Sequence, residues 1–404
     1  MRIHQSRGFE SSLKDSHLVN ADADAHAAET HADDANTLAA FRESVGRFLD
    51  RHASSKTLES WRAAGMVERG FWRLAGAAGV LAPSVPEAYG GAGVDFRFEL
   101  VVIEEIGKRG LEGFGAPVHS GIAAPYLVHF ATEEQKLAWL PAVVSGDMVL
   151  AIAMTEPGAG SDLRGIRTRA VRDGGEYVLN GQKTFISNGT AADLVIVACK
   201  TEDDRISLIA VETNRTAGFK RGRNLAKVGR EAQDTSELFF DDARVPVANL
   251  LGGIPGCGLN QLFSELPQER LIIAAMGQAM MERALDLTVA YTKERRAFGK
   301  ALLEFQNTQF KLAEARTQIA AGRAFLDNCL ARHLAGKLDA TMAAMVKLWI
   351  TEAEWKVIDE CLQLFGSYGY MDEYPISRLF RDARIDRIHG GTSEIMKTII
   401  ARSL

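Results

Sequence analysis

Apolar residues recur at helical spacing from Thr37 to about Met148, beginning with Phe41, Val45, Phe48 and Leu49 on one face. Pro83-Ser-Val-Pro86 and the Gly90-Gly91-Ala-Gly93 loop interrupt that pattern, and an apolar helix carrying Glu104 and Glu105 resumes over Leu100 to Ile106. Adjacent helical positions do not converge on one site, so these two carboxylates are expected on a solvated helix face. From Ala151 to about Pro246 the period changes. Leu194 to Ala198, Ile206 to Val211 and Leu238 to Phe240 are short apolar runs bounded by polar turns, which predicts a small antiparallel β domain. After the glycines between Gly252 and Gly258 the helical period returns and continues to Leu404, with a long helix expected to start near Pro267. The pattern predicts an α+β multidomain chain: a tail over 1–36, an N-terminal α-helical domain over 37–150, a middle antiparallel β domain over 151–252 and a C-terminal α-helical bundle over 253–404. No fixed-period repeat runs through it.

Composition narrows the class. At 404 residues, 47% hydrophobic and a net charge of -5, the chain is the size of an enzyme and has no basic excess for nucleic acid. No apolar run is long enough to span a bilayer, and Met1 to Val19 lacks the apolar centre of a secretory signal, so a cytoplasmic location is expected. Cys199, Cys257, Cys329 and Cys361 are widely separated and read as reduced, buried thiols. Four of the nine histidines, His4, His17, His26 and His31, lie in the Ala/Asp/His-rich stretch up to Asp34. Their irregular spacing reads as a solvated tail and not as a metal site, and its acidic residues argue against a mitochondrial presequence.

Candidate chemistry concentrates between Ala151 and Gly189. Pro157, Gly158 and Gly160 keep Met154 to Asp162 uncluttered, so peptide groups and the hydroxyls of Thr155 and Ser161 can approach a flat ligand. Asn180-Gly181 is expected to close a hairpin, and alternation beyond it sets Phe185 and Ser187 on the face opposite Ile186.

Five motifs, AMTEPGAGSD, NGQKTFISNG, KERRAFGKALLEFQ, QLFGSYGYMDEYPISRLFRDA and IHGGTSEI, follow one another in a fixed order. Through them the chain resembles the acyl-CoA dehydrogenase family from about Thr37 to Leu404. The resemblance implies one FAD per subunit of a homotetramer, acyl-CoA as substrate and an electron-transfer flavoprotein as partner. It implies flavin contacts at Met154, Thr155, Ser161, Phe185, Ile186 and Ser187, and at Arg295, whose guanidinium suits a pyrophosphate. Phe298 matches a further cofactor contact; Gln306, Gln363, Leu364, Phe365, Gly366 and Ser367 match contacts made across the subunit interface, and Thr392, Ser393 and Glu394 the last FAD segment. Ser161, Gln268, Arg270, Gly390 and Gly391 match substrate-binding positions.

The chemistry implied needs a base for the α-proton of a thioester. Many family members carry a glutamate where this chain has Gly390, which cannot serve. The stretch Ser264-Glu-Leu-Pro-Gln-Glu-Arg270 instead resembles the long-chain branch, and it places the base at Glu269. The His119-Ser-Gly-Ile122 stretch, Phe185 and Gly390 point to the same branch. The resemblance leaves Gly390 a main-chain N–H for the thioester carbonyl. His389, where the long-chain enzymes usually have tyrosine, reads as a packed, neutral histidine. The implied substrate is a medium- or long-chain or branched acyl-CoA. A flavin oxidase or monooxygenase of the same fold, told apart by rapid flavin reoxidation in air, and a non-catalytic flavin-fold binding protein are the alternatives.

Overall fold

The computed structural model describes residues 35–404; the histidine-bearing stretch up to Asp34 lies outside them. Six helices come first: α1 (35–52), α2 (Ser55–Ala64), α3 (Arg69–Ala77), α4 (Phe96–Arg109), α5 (Ala124–Phe130) and α6 (Glu133–Ser145). Local signals set their ends. Ser54 and Asp95 accept the N-terminal amides of α2 and α4, and Thr132 with Gln135 forms a capping box on α6. Gly110 ends α4 at φ 69°, a left-handed conformation that glycine adopts without strain.

The middle of the chain holds β1 (Leu150–Ala153), β2 (Arg169–Asp173), β3 (Glu176–Ser187), β4 (Leu194–Lys200), β5 (Ile206–Glu212), β6 (Phe219–Asn224) and β7 (Thr235–Pro246) in one seven-stranded sheet. Its ladders are antiparallel except where β1 and the start of β2 run parallel to β4. Alternation splits the strands between two cores. Leu150, Leu194, Ile196 and Ala198 pack with Tyr126, Leu127 and Leu140 of the helices, and Ala151, Val195, Val197 and Cys199 point into the other face of the sheet. The expected hairpin at Asn180-Gly181 is not there. Asp173 pairs with Glu176, so the two-residue loop is Gly174-Gly175, and Asn180-Gly181 lies within β3 at a register shift. There the Asn180 amide exchanges two hydrogen bonds with Asp242 across the ladder, which makes it a bulge residue.

Beyond Gly258 come α7 (Gly258–Glu294), a short ribbon of β8 (Arg296–Ala297) and β9 (Lys300–Ala301), and then α8 (Gln306–Leu334), α9 (Ala340–Phe365), α10 (Pro375–Ala383) and α11 (Ser393–Ala401). α7 starts well before Pro267, which sits inside it. Proline forfeits one backbone hydrogen bond there, and the helix continues through it with Leu262 buried before it and Leu271 after it. Residues of α4, α7, α8, α9 and α10 share one apolar core, so the N- and C-terminal helices pack as one body beside the sheet. Glu104 and Glu105 are not solvated; they are 5% and 6% exposed. Arg42 spans both, with Arg323 on Glu104 and Arg109 on Glu105, ion pairs that join α1, α4 and α8. Cys199, Cys329 and Cys361 are buried and Cys257 is partly exposed, all as free thiols. Among the described residues no helix is long and apolar enough to cross a membrane.

Candidate active site

Glu269 lies on α7 where that helix crosses α5, and it is 4% exposed. Tyr126 of α5, fully buried, donates its hydroxyl to Glu269 Oε1 at 2.8 Å. A second rung lies beside the first: His129, one turn further along α5, meets Glu265 Oε1, one turn back along α7, at 2.8 Å. Burial pushes the Glu269 carboxyl up to about 7; the Tyr126 hydrogen bond and Arg270 pull down and the Glu265 charge pushes up. Gln268 donates to the Gly121 carbonyl at 2.8 Å, tying α7 to the π-helical turn Pro117–Ala123 that feeds α5. Within that turn His119 is held neutral, its pKa lowered to about 4 by burial. Its Nδ1 accepts from the Leu150 amide, which leaves Nε2–H to donate to the Val143 carbonyl, so one ring joins α6 to β1.

Gly390 comes to the same helix from the far end of the chain. A Cβ on Gly390 would stand 2.3 Å from Ile273 Cδ1, one turn beyond Glu269, and its φ of 64° favours glycine. Its N–H donates to no group among the described residues. The buried Lys347 of α9 donates to the Gly391 carbonyl at 2.8 Å and holds the next peptide. His389 Nε2 lies 2.6 Å from Asp386, whose two oxygens also accept from one guanidinium nitrogen, Nη2, of Arg230. The His389 side chain is 38% exposed and so is not the packed ring expected; partial burial lowers its pKa against the pull of Asp386. Arg270 is 4% exposed and its Nε has no partner among the described residues.

The loop after β1 is fastened to β3. Lys183, 1% exposed, donates to the Met154 carbonyl at 2.9 Å and to Glu156 at 2.8 Å, and the Thr184 amide donates to the Thr155 carbonyl. Burial penalises the Glu156 carboxylate, yet the bonds from Lys183, Thr168 and Arg167 outweigh it and hold its pKa below the usual value. Ser161 is exposed on this loop, and Phe185 stands 66% exposed at φ 59°, a left-handed conformation that costs a bulky residue energy. Ile186 points the other way, into the sheet core, which leaves only its backbone for a ligand.

The remaining positions lie on the C-terminal helices. Arg295 is exposed, has no carboxylate partner among the described residues, and lies 5.4 Å over the Tyr368 ring. Phe298 is 96% exposed at the tip of the β8–β9 ribbon, and Gln306, Gln363, Gly366 and Ser367 are also exposed. Phe365 departs from the expected contact: its ring is in the core, stacked on Tyr291 at 4.1 Å, and Leu364 packs against the same core. Thr392 caps α11, Glu394 is exposed and Ser393 is buried with its hydroxyl donating to Glu352 at 2.7 Å. A guanidinium with no carboxylate partner among the described residues, the exposed Ser161 and a strained, exposed aromatic suit a flat ligand carrying phosphates. Among the described residues no group of acids, histidines and cysteines gathers as for a metal ion.

Sequence reasoning missed Tyr126, Glu265, His129, Lys347 and the Lys183–Glu156 pair. Lys183 shares its parity with both buried Leu179 and exposed Phe185, so alternation alone did not mark it.

Models of the acyl-CoA dehydrogenase N-terminal, middle and C-terminal domains match residues 36–147, 151–243 and 256–404. The long-chain specific acyl-CoA dehydrogenase, mitochondrial, of Sus scrofa is 44% identical over 370 residues, 90% of this chain and 85% of the relative. An acyl-CoA dehydrogenase from Geobacillus kaustophilus superposes with a TM-score of 0.88 at 48% identity, covering 91% of this chain and 97% of that one. The Bacillus anthracis acyl-CoA dehydrogenase complexed with FAD gives a TM-score of 0.86 at 30% identity, over 91% of this chain and 66% of that one.

Proposed function

The chain belongs to the acyl-CoA dehydrogenase family, and from that premise we propose that it carries out FAD-dependent α,β-dehydrogenation of an acyl-CoA thioester to the trans-2-enoyl-CoA, with Glu269 as the base for the α-proton. The observation that carries the assignment is a buried glutamate whose pKa is raised to about 7, one turn from the isoleucine that meets Gly390. A carboxylate of that basicity is better matched to neutral pH than an ordinary one. FAD, when bound, supplies the acceptor for the β-hydride. Met154, Thr155, Ser161 and the segment Phe185 to Ser187 would line its ring system, and Arg295 would hold its pyrophosphate. Phe298, Gln306, the backbone from Gln363 to Ser367 and the α11 N-terminus from Thr392 to Glu394 would complete the cradle.

The uncommitted N–H of Gly390 donates to the thioester carbonyl in this reading and stabilises the negative charge that grows as the proton leaves. Gln268, Arg270, Ser161 and Gly391 border the substrate. The likeness to a long-chain specific relative favours a medium- or long-chain or branched acyl group. We further infer electron transfer to an electron-transfer flavoprotein, a cytoplasmic location and a homotetramer, the last supported by exposed Phe298, Phe310 and Tyr370 on the C-terminal part. Anaerobic titration with acyl-CoAs of graded length tests the reading. Bleaching of the flavin by a long-chain thioester is expected, and a protein that takes up no FAD or is bleached by none of the panel would overturn it.

A further inference from the structure

Glu269 does not stand alone at the crossing of α5 and α7, and its neighbour does more than fill space. Tyr126 is fully buried and its hydroxyl makes one hydrogen bond, to Glu269 Oε1 at 2.8 Å. Oε2 accepts from no group among the described residues, and it is not among the fully occluded polar atoms left without a partner. The donor is held from behind by the fold. Pro125 begins the turn that carries it, the π-helical segment before α5 is tied to α7 through Gln268, and the Tyr126 ring packs 6.1 Å from Phe130. The charged groups facing the pair are Glu265 and Arg270 from α7, with His129 of α5 bonded to Glu265.

Resting on Glu269 as the base, we propose that Tyr126 is a positioning residue for it: by donating to Oε1 it fixes the carboxylate rotamer, leaves Oε2 to take the α-proton, and holds the carboxylate in its ionised form. A hydrogen bond to a charged oxygen in a dry site is strong, and it favours the charged state that receives it. Its loss has two separable effects. The free enzyme needs a higher pH to ionise Glu269, and the ionised carboxylate is no longer aimed.

Tyr126→Phe removes one oxygen from a packed ring, and it is compared with the unaltered holoenzyme by anaerobic flavin bleaching across pH 5.5 to 9. The midpoint of the kcat/KM profile is expected to move up by about one to two pH units, the amount that one hydrogen bond to a charged group converts to. The limiting rate of flavin reduction at high pH is expected to stay several-fold low from lost aim. Site-specific 3-fluorotyrosine at position 126, a more acidic donor in nearly the same volume, is expected to move the midpoint the opposite way with FAD content unchanged. A purely structural tyrosine would not move the midpoint in two directions, and profiles that superimpose on the unaltered protein for both variants overturn the proposal. If Tyr126→Phe loses its flavin, the fluorotyrosine profile alone decides. Glu269→Gln separates this from the base assignment: an inactive Glu269→Gln beside unmoved Tyr126 profiles sinks only the positioning role, and an active Glu269→Gln sinks the base.

Discussion

The crossing of α5 and α7 and the rim around Arg295 are built in opposite ways. At the crossing, Tyr126, Glu269, His129, Glu265 and Gln268 find hydrogen-bond partners within the chain, and Tyr126 and Glu269 are almost wholly out of water. At the rim, the Arg295 guanidinium lies over an aromatic face with no carboxylate partner among the described residues, and Phe298 stands 96% exposed on a two-stranded ribbon. The first arrangement is finished before any ligand arrives. The second offers unspent donors and apolar surface, and on the reading above FAD and a neighbouring subunit complete it. Damage at the crossing is therefore expected to slow chemistry and spare binding, and damage at the rim the reverse.

The largest expected effect is that of Glu269→Gln. It keeps shape and hydrogen bonding to Tyr126 but removes the proton acceptor, so flavin reduction by saturating acyl-CoA should slow by at least about 10²-fold. FAD content and acyl-CoA binding should be nearly unchanged. Anaerobic stopped-flow bleaching beside flavin content reads both, and near-normal reduction would end the contrast. Arg295→Ala is the mirror experiment at the rim. Loss of one charge-assisted phosphate contact is expected to weaken FAD retention on the order of 10- to 100-fold. Molecules that keep their flavin should reduce it at a normal rate, and unchanged FAD affinity would mean that this guanidinium does not hold the pyrophosphate.

A rescue sharpens the contrast from within the crossing. If residue 390 and Glu269 face the same α-carbon, glutamate at 390 should return part of the rate lost in Glu269→Gln. The geometry adds a condition: a Cβ at 390 would meet Ile273 Cδ1 at 2.3 Å, at a φ of 64° that resists any side chain. The triple variant Glu269→Gln, Gly390→Glu, Ile273→Ala is therefore expected to recover more than the double, by about tenfold over Glu269→Gln alone, because a base about 1 Å off its productive place forfeits much of its rate. Equal failure of both would show that the two positions do not share a target.

How much of this was readable in the residues follows the range of the interactions. The switch of period near Ala151 announced the sheet, because alternation is a property of neighbours in sequence. Glu269 came from motif resemblance, and its setting could not, since Tyr126 lies 143 residues away along the chain. Glu104 and Glu105 were misjudged for the same reason. Their burial depends on Arg42 and Arg323, 62 and 219 residues from Glu104, and local rules count an adjacent acid pair as surface. Asn180-Gly181 looked like a turn because that dipeptide favours one, but the Gly174-Gly175 loop had already closed the hairpin and Asp242 claimed the asparagine. Phe365 shows the limit of motif transfer, since a motif position can contribute its backbone while its ring serves the core.

The smallest expected effect is also specific to the crossing. A general base works in its ionised form, so with the Glu269 pKa raised to about 7 by burial, kcat/KM should rise with pH and not fall. A single group at that value gives ~3-fold between pH 6.5 and 7.5. The second rung should flatten this. The Glu265 hydrogen bond and charge outweigh burial and raise the His129 pKa, so the imidazolium persists to higher pH than in a free histidine. When it loses its proton, the Glu265 charge is less screened and opposes ionisation of the Glu269 carboxyl more strongly. Glu265→Gln removes that opposition, and the profile should shift to lower pH and steepen toward the single-group curve. FAD retention, which draws on the rim, is expected to follow neither curve. A kcat/KM profile with its midpoint near the ordinary glutamate value would show that the dry pocket is opened in solution, and a Glu265→Gln profile identical to the unaltered one would show that the two rungs titrate independently.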